Sequence, residues 1–292
     1  MRPNSRRRAK VMKITKLLLC WPCALLVLCF GTSTANADLV TFVGVPGAPP
    51  LDAYGTVAHW EDNVGGALGR VADINDDATA TGRFTINDGV DYFLNSFTGN
   101  DASGSFIQNG SLTVTDSVAL NTGFSIQANG NLAWGGAGTL GDGVGGTDRL
   151  SLTFGAHTNP SKVVGNSLDV ASNGQIQYRW FTSATEGSTV PDLDLSGALS
   201  FAAGSQIEIT REGGTGPRFI GDGSYFLASA SSISGPLPTL TLTGHTYEAG
   251  QDAFFLQQRV DGLYLTNFTS VPEPSSIVMF GLGCAMLARR RR

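Results

Sequence analysis

Apolar and polar residues alternate with a period of two through most of the chain between residues 80 and 270. The runs are short: Phe84-Thr85-Ile86, Leu112-Thr113-Val114, Leu150-Ser151-Leu152-Thr153-Phe154, Ile176-Gln177-Tyr178, Ile207-Glu208-Ile209 and Leu240-Thr241-Leu242. Glycine, asparagine, aspartate and serine bound each run. Short alternating runs between turn residues predict half-buried β-strands. No stretch between 38 and 271 sustains a helical period of 3.6, so the pattern predicts an all-β domain.

A phrase recurs within it. Asn109-Gly110-Ser111-Leu112-Thr113-Val114 returns as Asn129-Gly130-Asn131-Leu132-Ala133-Trp134, as Asn173-Gly174-Gln175-Ile176-Gln177-Tyr178, and more loosely as Ser196-Gly197-Ala198-Leu199-Ser200-Phe201. Asn-Gly allows a positive φ at a corner, and the alternation after it turns one side chain inward and the next outward. A period of 20 to 24 residues suits one coil of a parallel β-solenoid (β-helix), whose coils bury their apolar faces by stacking. Asn-Gly turns also punctuate a jelly-roll-like β-sandwich, which stays open as the alternative. Phe254 to Leu265 reads as a hairpin around Asp261-Gly262. In a solenoid it would cap the C-terminal end and block edge association. Residues 38–80, with Pro46, Pro49 and Pro50, read as an irregular N-terminal cap before a β-rich domain over 81–268.

The two chain ends follow a different pattern. Seven basic residues from Arg2 to Lys16 precede the apolar run Leu17 to Phe30, a predicted signal helix. Ala35-Asn36-Ala37 is a small-x-small site for signal peptidase, so residues 1–37 read as a signal peptide and Asp38 as the first mature residue. Met12 is a second candidate start. At the other end, the segment 269–292 holds Val271-Pro272-Glu273-Pro274-Ser275, an apolar run over 275–288, and Arg289, Arg290, Arg291 and Arg292. The run covers about 21 Å as a helix, short against a ~30 Å hydrocarbon core. It reads as a short transmembrane helix, a transient anchor in the inner membrane, with the arginines held as a stop on the cytoplasmic side.

This three-part tail resembles the PEP-CTERM sorting domain of Gram-negative bacteria. The resemblance implies that exosortase, a membrane-embedded protease and transpeptidase, recognises Pro272, Glu273 and Pro274 and passes the protein to the cell surface or extracellular matrix. Residues 80–268 are similar to passenger-type β-helices built from autotransporter-associated strand repeats. The phrases that carry this likeness are Phe226-Leu227-Ala228-Ser229-Ala230-Ser231-Ser232-Ile233-Ser234-Gly235 and Asp261-Gly262-Leu263-Tyr264-Leu265.

Charge narrows the partners. Eleven of the 19 basic residues sit in the two addressing segments; residues 38–271 hold 8 Lys and Arg against 23 Asp and Glu, a net of −15. Such a domain repels nucleic acid, so none is expected as a partner. All 4 cysteines lie outside residues 38–271, which excludes disulfides and thiol chemistry from the mature domain.

Candidate chemistry is sparse. His59, His157 and His245 stand far apart, and no nucleophile elbow or phosphate loop is present. No catalytic residue and no cofactor is expected, calcium aside. Asp73, Asn75 and Asp77 have the i, i+2, i+4 spacing of oxygen ligands in calcium loops, without the glycine and distal glutamate of an EF-hand; a solvated turn explains them as well. Trp60 and Trp180 could stack on sugars, whereas Trp134 and Tyr178 occupy the inward slot of the repeat and read as core. The chain is therefore expected to be an exported structural or adhesive protein of the envelope or exopolysaccharide matrix, a substrate of enzymes and not itself one. The alternative is a polysaccharide-binding module or depolymerase on the same scaffold.

Overall fold

A computed structural model describes residues 37–43, 52–53, 60–100, 104–127, 129–153, 161–180, 193–211, 224–243 and 251–269. Every element among them is a strand, as the alternation requires; the signal helix and the C-terminal apolar run lie outside these residues. The strands form one sheet of 15 and one of 8. The larger sheet contains two rows, because Gly130–Leu140 and Lys162–Val170 are long enough to belong to both.

Row one stacks Asp38–Phe42, Asp76–Ala80, Ser96–Gly99, Val118–Leu120, the C-terminal parts of the two long strands, Ala198–Phe201 and Ser232–Ser234. Row two is the smaller sheet, parallel throughout: Asp52–Ala53, Phe84–Ile86, Ser105–Ile107, Phe124–Ile126, Asp148–Thr153, Gly174–Trp180, Gln206–Arg211 and Thr239–Thr243. Row three stacks Asp91–Leu94, Gly110–Val114, the N-terminal parts of the long strands, Leu193–Leu195 and Ser224–Ser229. The chain visits the rows in the order one, two, three and returns to the next strand of row one. Each parallel pair is thus bridged by a passage through the other two rows, which supplies the long connection that parallel pairing needs. Among the described strand–strand pairings only three are antiparallel. A jelly roll, made of antiparallel sheets, does not have this pairing.

Register explains the alternation. In row three Tyr92, Leu112, Leu132, Val163 and Leu193 stand one above another; in row two Ile86, Ile107, Ile126, Leu152, Tyr178 and Ile209 do the same. One apolar cluster takes residues from all three rows. Burying each such leucine or isoleucine stabilises the fold by about 1.5–3 kcal/mol. Trp134 fits this interior because the residue beside it is Gly165, whose Cβ would lie 2.2 Å from the indole. The indole N–H donates to the Ser167 carbonyl at 3.0 Å. Tyr178, fully buried, donates its hydroxyl to the Leu227 carbonyl at 2.9 Å.

The Asn-Gly phrase is only partly a repeat. Gly110 and Gly130 pair in row three, in register. Asn173-Gly174, however, opens a strand of row two, and Ser196-Gly197 leads into row one. Every corner needs a small or flexible residue before an alternating run, so one phrase marks corners on different rows. At Asn109 and Asn129 the asparagine carries the positive φ (51° and 60°). The following glycine serves close approach instead: a Cβ on Gly130 would lie 2.3 Å from the Ile107 carbonyl oxygen. The asparagines also bond along the stack, Asn109 Nδ2 to Asn87 Oδ1 at 3.0 Å and Asn129 Nδ2 to Asn109 Oδ1 at 2.9 Å. Asn121 bonds Asn100 in the same way at 3.0 Å.

Coil length changes along the chain. Neighbours in row three are 20 residues apart at Phe93, Thr113 and Ala133, then 30 apart from Val163 to Leu193 and 35 from Leu193 to Ala228. Most of the extra length falls on the corner from row two to row three; residues 141–147, between row one and row two, add to one coil. The corner from row two to row three spans residues 108–109 and 127–129 in early coils, and 154–161, 181–192 and 212–223 in later ones.

Both ends of the stack carry an antiparallel strand. Trp60–Asp62 runs against Asp38–Phe42, with Trp60 edge-on to Phe42 at 5.2 Å. Asp76–Ala80 already belongs to the parallel row, so the irregular character expected of 38–80 does not extend to it. At the other end Gln251–Arg259 and Gly262–Thr269 form the hairpin read from the sequence, and its second strand covers Ser224–Ser229. The turn centres on Val260 and Asp261, one position before Asp-Gly, because Arg259 pairs with Gly262. Gly262 (φ 152°) packs against Ala228, whose carbonyl oxygen would be 2.0 Å from a Cβ there.

Candidate functional site

The addressing residues Ala35, Pro272, Glu273, Pro274 and Arg289 to Arg292 lie outside the described residues. Ala37 is the first described residue, and the first strand begins at Asp38. The predicted cleavage would therefore leave the strand intact. Asp38 Oδ2 is 3.7 Å from an Arg70 nitrogen, on an exposed side chain.

The three calcium candidates divide between two tasks. Asp73 Oδ1 accepts from the backbone and side-chain nitrogens of Asn75 at 2.9 and 3.1 Å, closing an Asx turn. Asp77 Oδ1 instead accepts from Asn95 Nδ2 at 2.8 Å and Ser96 Oγ at 2.6 Å, in the next coil. The alternation of Asp76–Ala80 turns Asp76 and Asp77 to opposite faces. Among the described residues no three His, Cys, Asp or Glu side chains gather as a metal cage.

The group that does gather there was not singled out from the sequence. Asp76 is fully buried, and Arg70 holds it through two bonds of 2.5 and 2.7 Å; the Asp73 N–H adds a third at 2.6 Å. The bonds it donates to Asp76 push the Arg70 guanidinium above its ordinary pKa, so it stays charged. A lone arginine within an acidic stretch was the available signal. The arrangement plugs the N-terminal end of row one, with both Asp76 oxygens taken up by its bonds.

The sugar-stacking expectation for Trp60 is overturned: the side chain is fully buried against Phe42, so no sugar ring reaches it. The indole sits inside because Trp60 lines the interior where the first strands meet. The side chain of Trp180, last in Gly174–Trp180, lies outside the described residues.

The outer face of row two carries polar side chains in register. Arg149 Nε donates to Gln175 Oε1 at 2.6 Å, and Gln175 Nε2 to Gln206 Oε1 at 3.1 Å. One column over, Ser151 Oγ donates to Gln177 Oε1 at 2.7 Å, and Gln177 Nε2 donates to Glu208 Oε2 at 2.9 Å. The chain of bonds stops at Ser151. The next hydroxyl toward the N-terminus, Ser125 Oγ, is buried and has no hydrogen-bond partner among the described residues. Ser125, Arg83 and Arg179 are among the residues that line a cavity of about 280 Å³.

No curated protein and no solved structure matches the chain. Residues 270–292 match the family model of the PEP-CTERM protein-sorting motif. The chain therefore carries this sorting signal at the position read from Pro272, Glu273 and Pro274, and the signal implies export to the bacterial cell surface or surroundings.

Proposed function

We propose that this chain is an exported structural or adhesive protein of the bacterial envelope or extracellular matrix, built on a parallel β-solenoid and processed by exosortase. The sorting motif at 270–292 carries the reading. The apolar run 275–288 arrests in the inner membrane, Arg289 to Arg292 hold its end in the cytoplasm, and exosortase acts at Pro272 to Pro274. Signal peptidase cuts between Ala37 and Asp38 at the other end.

Parallel rows, one shared apolar cluster and coils of 20 to 35 residues support the solenoid. The asparagine ladder adds to the likeness with passenger-type β-helices. A stack of this kind is long, rigid and free of thiols, which suits a scaffold outside the cell.

The test is Glu273→Ala in the producing bacterium. The variant should accumulate in the inner-membrane fraction with its tail uncut, while the parent reaches the surface or medium. Unchanged processing and display of the variant would refute the sorting role.

A further inference from the structure

The first strand of row three, Asp91–Leu94, pairs with Gly110–Val114 on one side; among the described residues no strand pairs with it on the other. Parallel pairing uses alternate residues. The Ser111 N–H donates to the Val90 carbonyl at 3.2 Å, and the Thr115 N–H to the Leu94 carbonyl at 2.9 Å. Asp91 and Phe93 therefore turn their backbone N–H and C=O groups to the outer edge. Row one, by contrast, is covered at this end by Trp60–Asp62. The same strand lines a groove of about 560 Å³, with Val90, Asp91 and Phe93 on its side and Val71, Asp73 and Ile74 contributed by the segment that leads into Asp76–Ala80.

Three features of this groove select one partner. Its apolar side chains are open to solvent: Ile74 is 49% exposed, Phe93 46% and Val90 44%. Its rim is acidic. Asp73 and Asp91 line it, and Asp88 stands beside it, accepting from the Val90 N–H at 3.0 Å and the Tyr92 hydroxyl at 2.6 Å. Arg70 bonds Asp73 at 3.2 Å but gives its two shorter bonds to the buried Asp76. The edge itself presents backbone donors and acceptors at strand spacing, which an extended polypeptide matches and a sugar or a lipid does not. A second copy of this chain fits poorly, because residues 38–271 carry a net charge of −15 and would meet an acidic rim.

We propose that this groove binds an extended segment of another polypeptide, one that alternates apolar and basic residues and adds to row three as a strand beside Asp91–Leu94. Backbone bonds to Asp91 and Phe93 hold the segment. Its apolar side chains enter the groove, and its basic ones reach Asp73 and Asp91. The proposal extends the structural role given above, and its test with purified protein does not depend on sorting.

The experiment is fluorescence polarisation of a dye-labelled peptide of alternating valine and lysine, titrated with the full chain purified from the producing cells. Saturable binding that weakens with added salt is expected. A peptide of alternating valine and glutamate should not bind, and N-methylation of the valine–lysine backbone should abolish binding. Ile74→Lys, at an exposed side chain, should weaken binding about tenfold through lost apolar contact and added repulsion. Phe93→Pro, which removes an outward N–H, should weaken it about as much. Val144→Lys adds the same charge at another exposed side chain and should leave binding unchanged. Thermal melts at the parent temperature confirm that the variants are folded, and Ile74→Lys decides the matter if Phe93→Pro does not fold. The proposal is overturned by absent binding of the valine–lysine peptide, by equal binding of the N-methylated or glutamate peptide, by full binding in Ile74→Lys, or by an equal loss in Val144→Lys. Sedimentation velocity tests the other occupant: self-association of the parent that Ile74→Lys abolishes would assign the groove to a second copy and overturn the proposal.

Discussion

Asn129 donates its side-chain amide to the Asn109 side-chain carbonyl at 2.9 Å, 20 residues back and one strand along row three. Both asparagines have left-handed backbones, and Asn109 continues the ladder to Asn87. One residue type therefore meets two demands at this corner: a conformation costly for most side chains, and a bond between coils.

Asn109→Ala should cost about 1–2 kcal/mol, from the left-handed strain and two exposed side-chain bonds. Asn109→Gly keeps the conformation and should cost less. Urea midpoints of the two variants would check the order; equal losses would mean that the bonds alone matter.

Close packing of the coils sets a second contrast. Gly130→Ala places a Cβ 2.3 Å from the Ile107 carbonyl oxygen and should destabilise by about 2–3 kcal/mol. At Gly146 nothing lies within 4 Å of the added carbon, so Gly146→Ala should be neutral or slightly stabilising. Thermal melts of the pair give the comparison.

Removing Arg70 leaves Asp76 charged and buried. Arg70→Ala should cost about 2–4 kcal/mol, less than for a dry ion pair because the Arg70 side chain is 38% exposed. Asp76→Asn, which removes the buried charge, should cost less than Arg70→Ala. The reverse order in denaturant titrations would contradict the plug described for this end.

Asp148 supplies a pH test. Burial raises its pKa above the ordinary carboxylate value, opposed in part by a bond from Asn173. A raised carboxyl pKa means that the folded state binds the proton more tightly than the unfolded chain. Its charge therefore opposes folding above the folded pKa, and the penalty is relieved as pH falls through that value toward the unfolded one. Asp148→Asn should be more stable than the parent at pH 7, and the advantage should shrink on acidification. A gap that widens toward low pH would reverse the sign.

The hairpin covering Ser224–Ser229 predicts an association phenotype. Gly262→Val drives a side chain into Ala228 and Phe226 and should lift the hairpin from the strand beneath. The bared edge should then pair with other chains, seen as a shift to larger species in size-exclusion chromatography. A folded monomer would show that the edge is protected otherwise.

Much of this architecture was legible in the residues. The alternation around Leu112 and Leu132 gave the strands and, through Asn109 and Asn129, the 20-residue register of row three. Asn173 and Gly197 misled, since turn chemistry marks a corner without saying which row follows. Trp60 misled as well, because a lone aromatic carries no periodicity that shows which way it faces. The cavity beside Ser125 was invisible: its walls at Arg83 and Arg179 are almost a hundred residues apart and meet only through the register of row two.

The lengthening of the corner from row two to row three makes this fold a pegboard. Segments 154–161, 181–192 and 212–223 are all longer than 108–109 and 127–129, yet the strands on either side keep their partners. Passenger sequences spliced there would interrupt none of the described strands, whose rungs lie about 4.8 Å apart. Copies of a short epitope placed on consecutive rungs would then be presented at a spacing fixed by the backbone, a route to multivalent display.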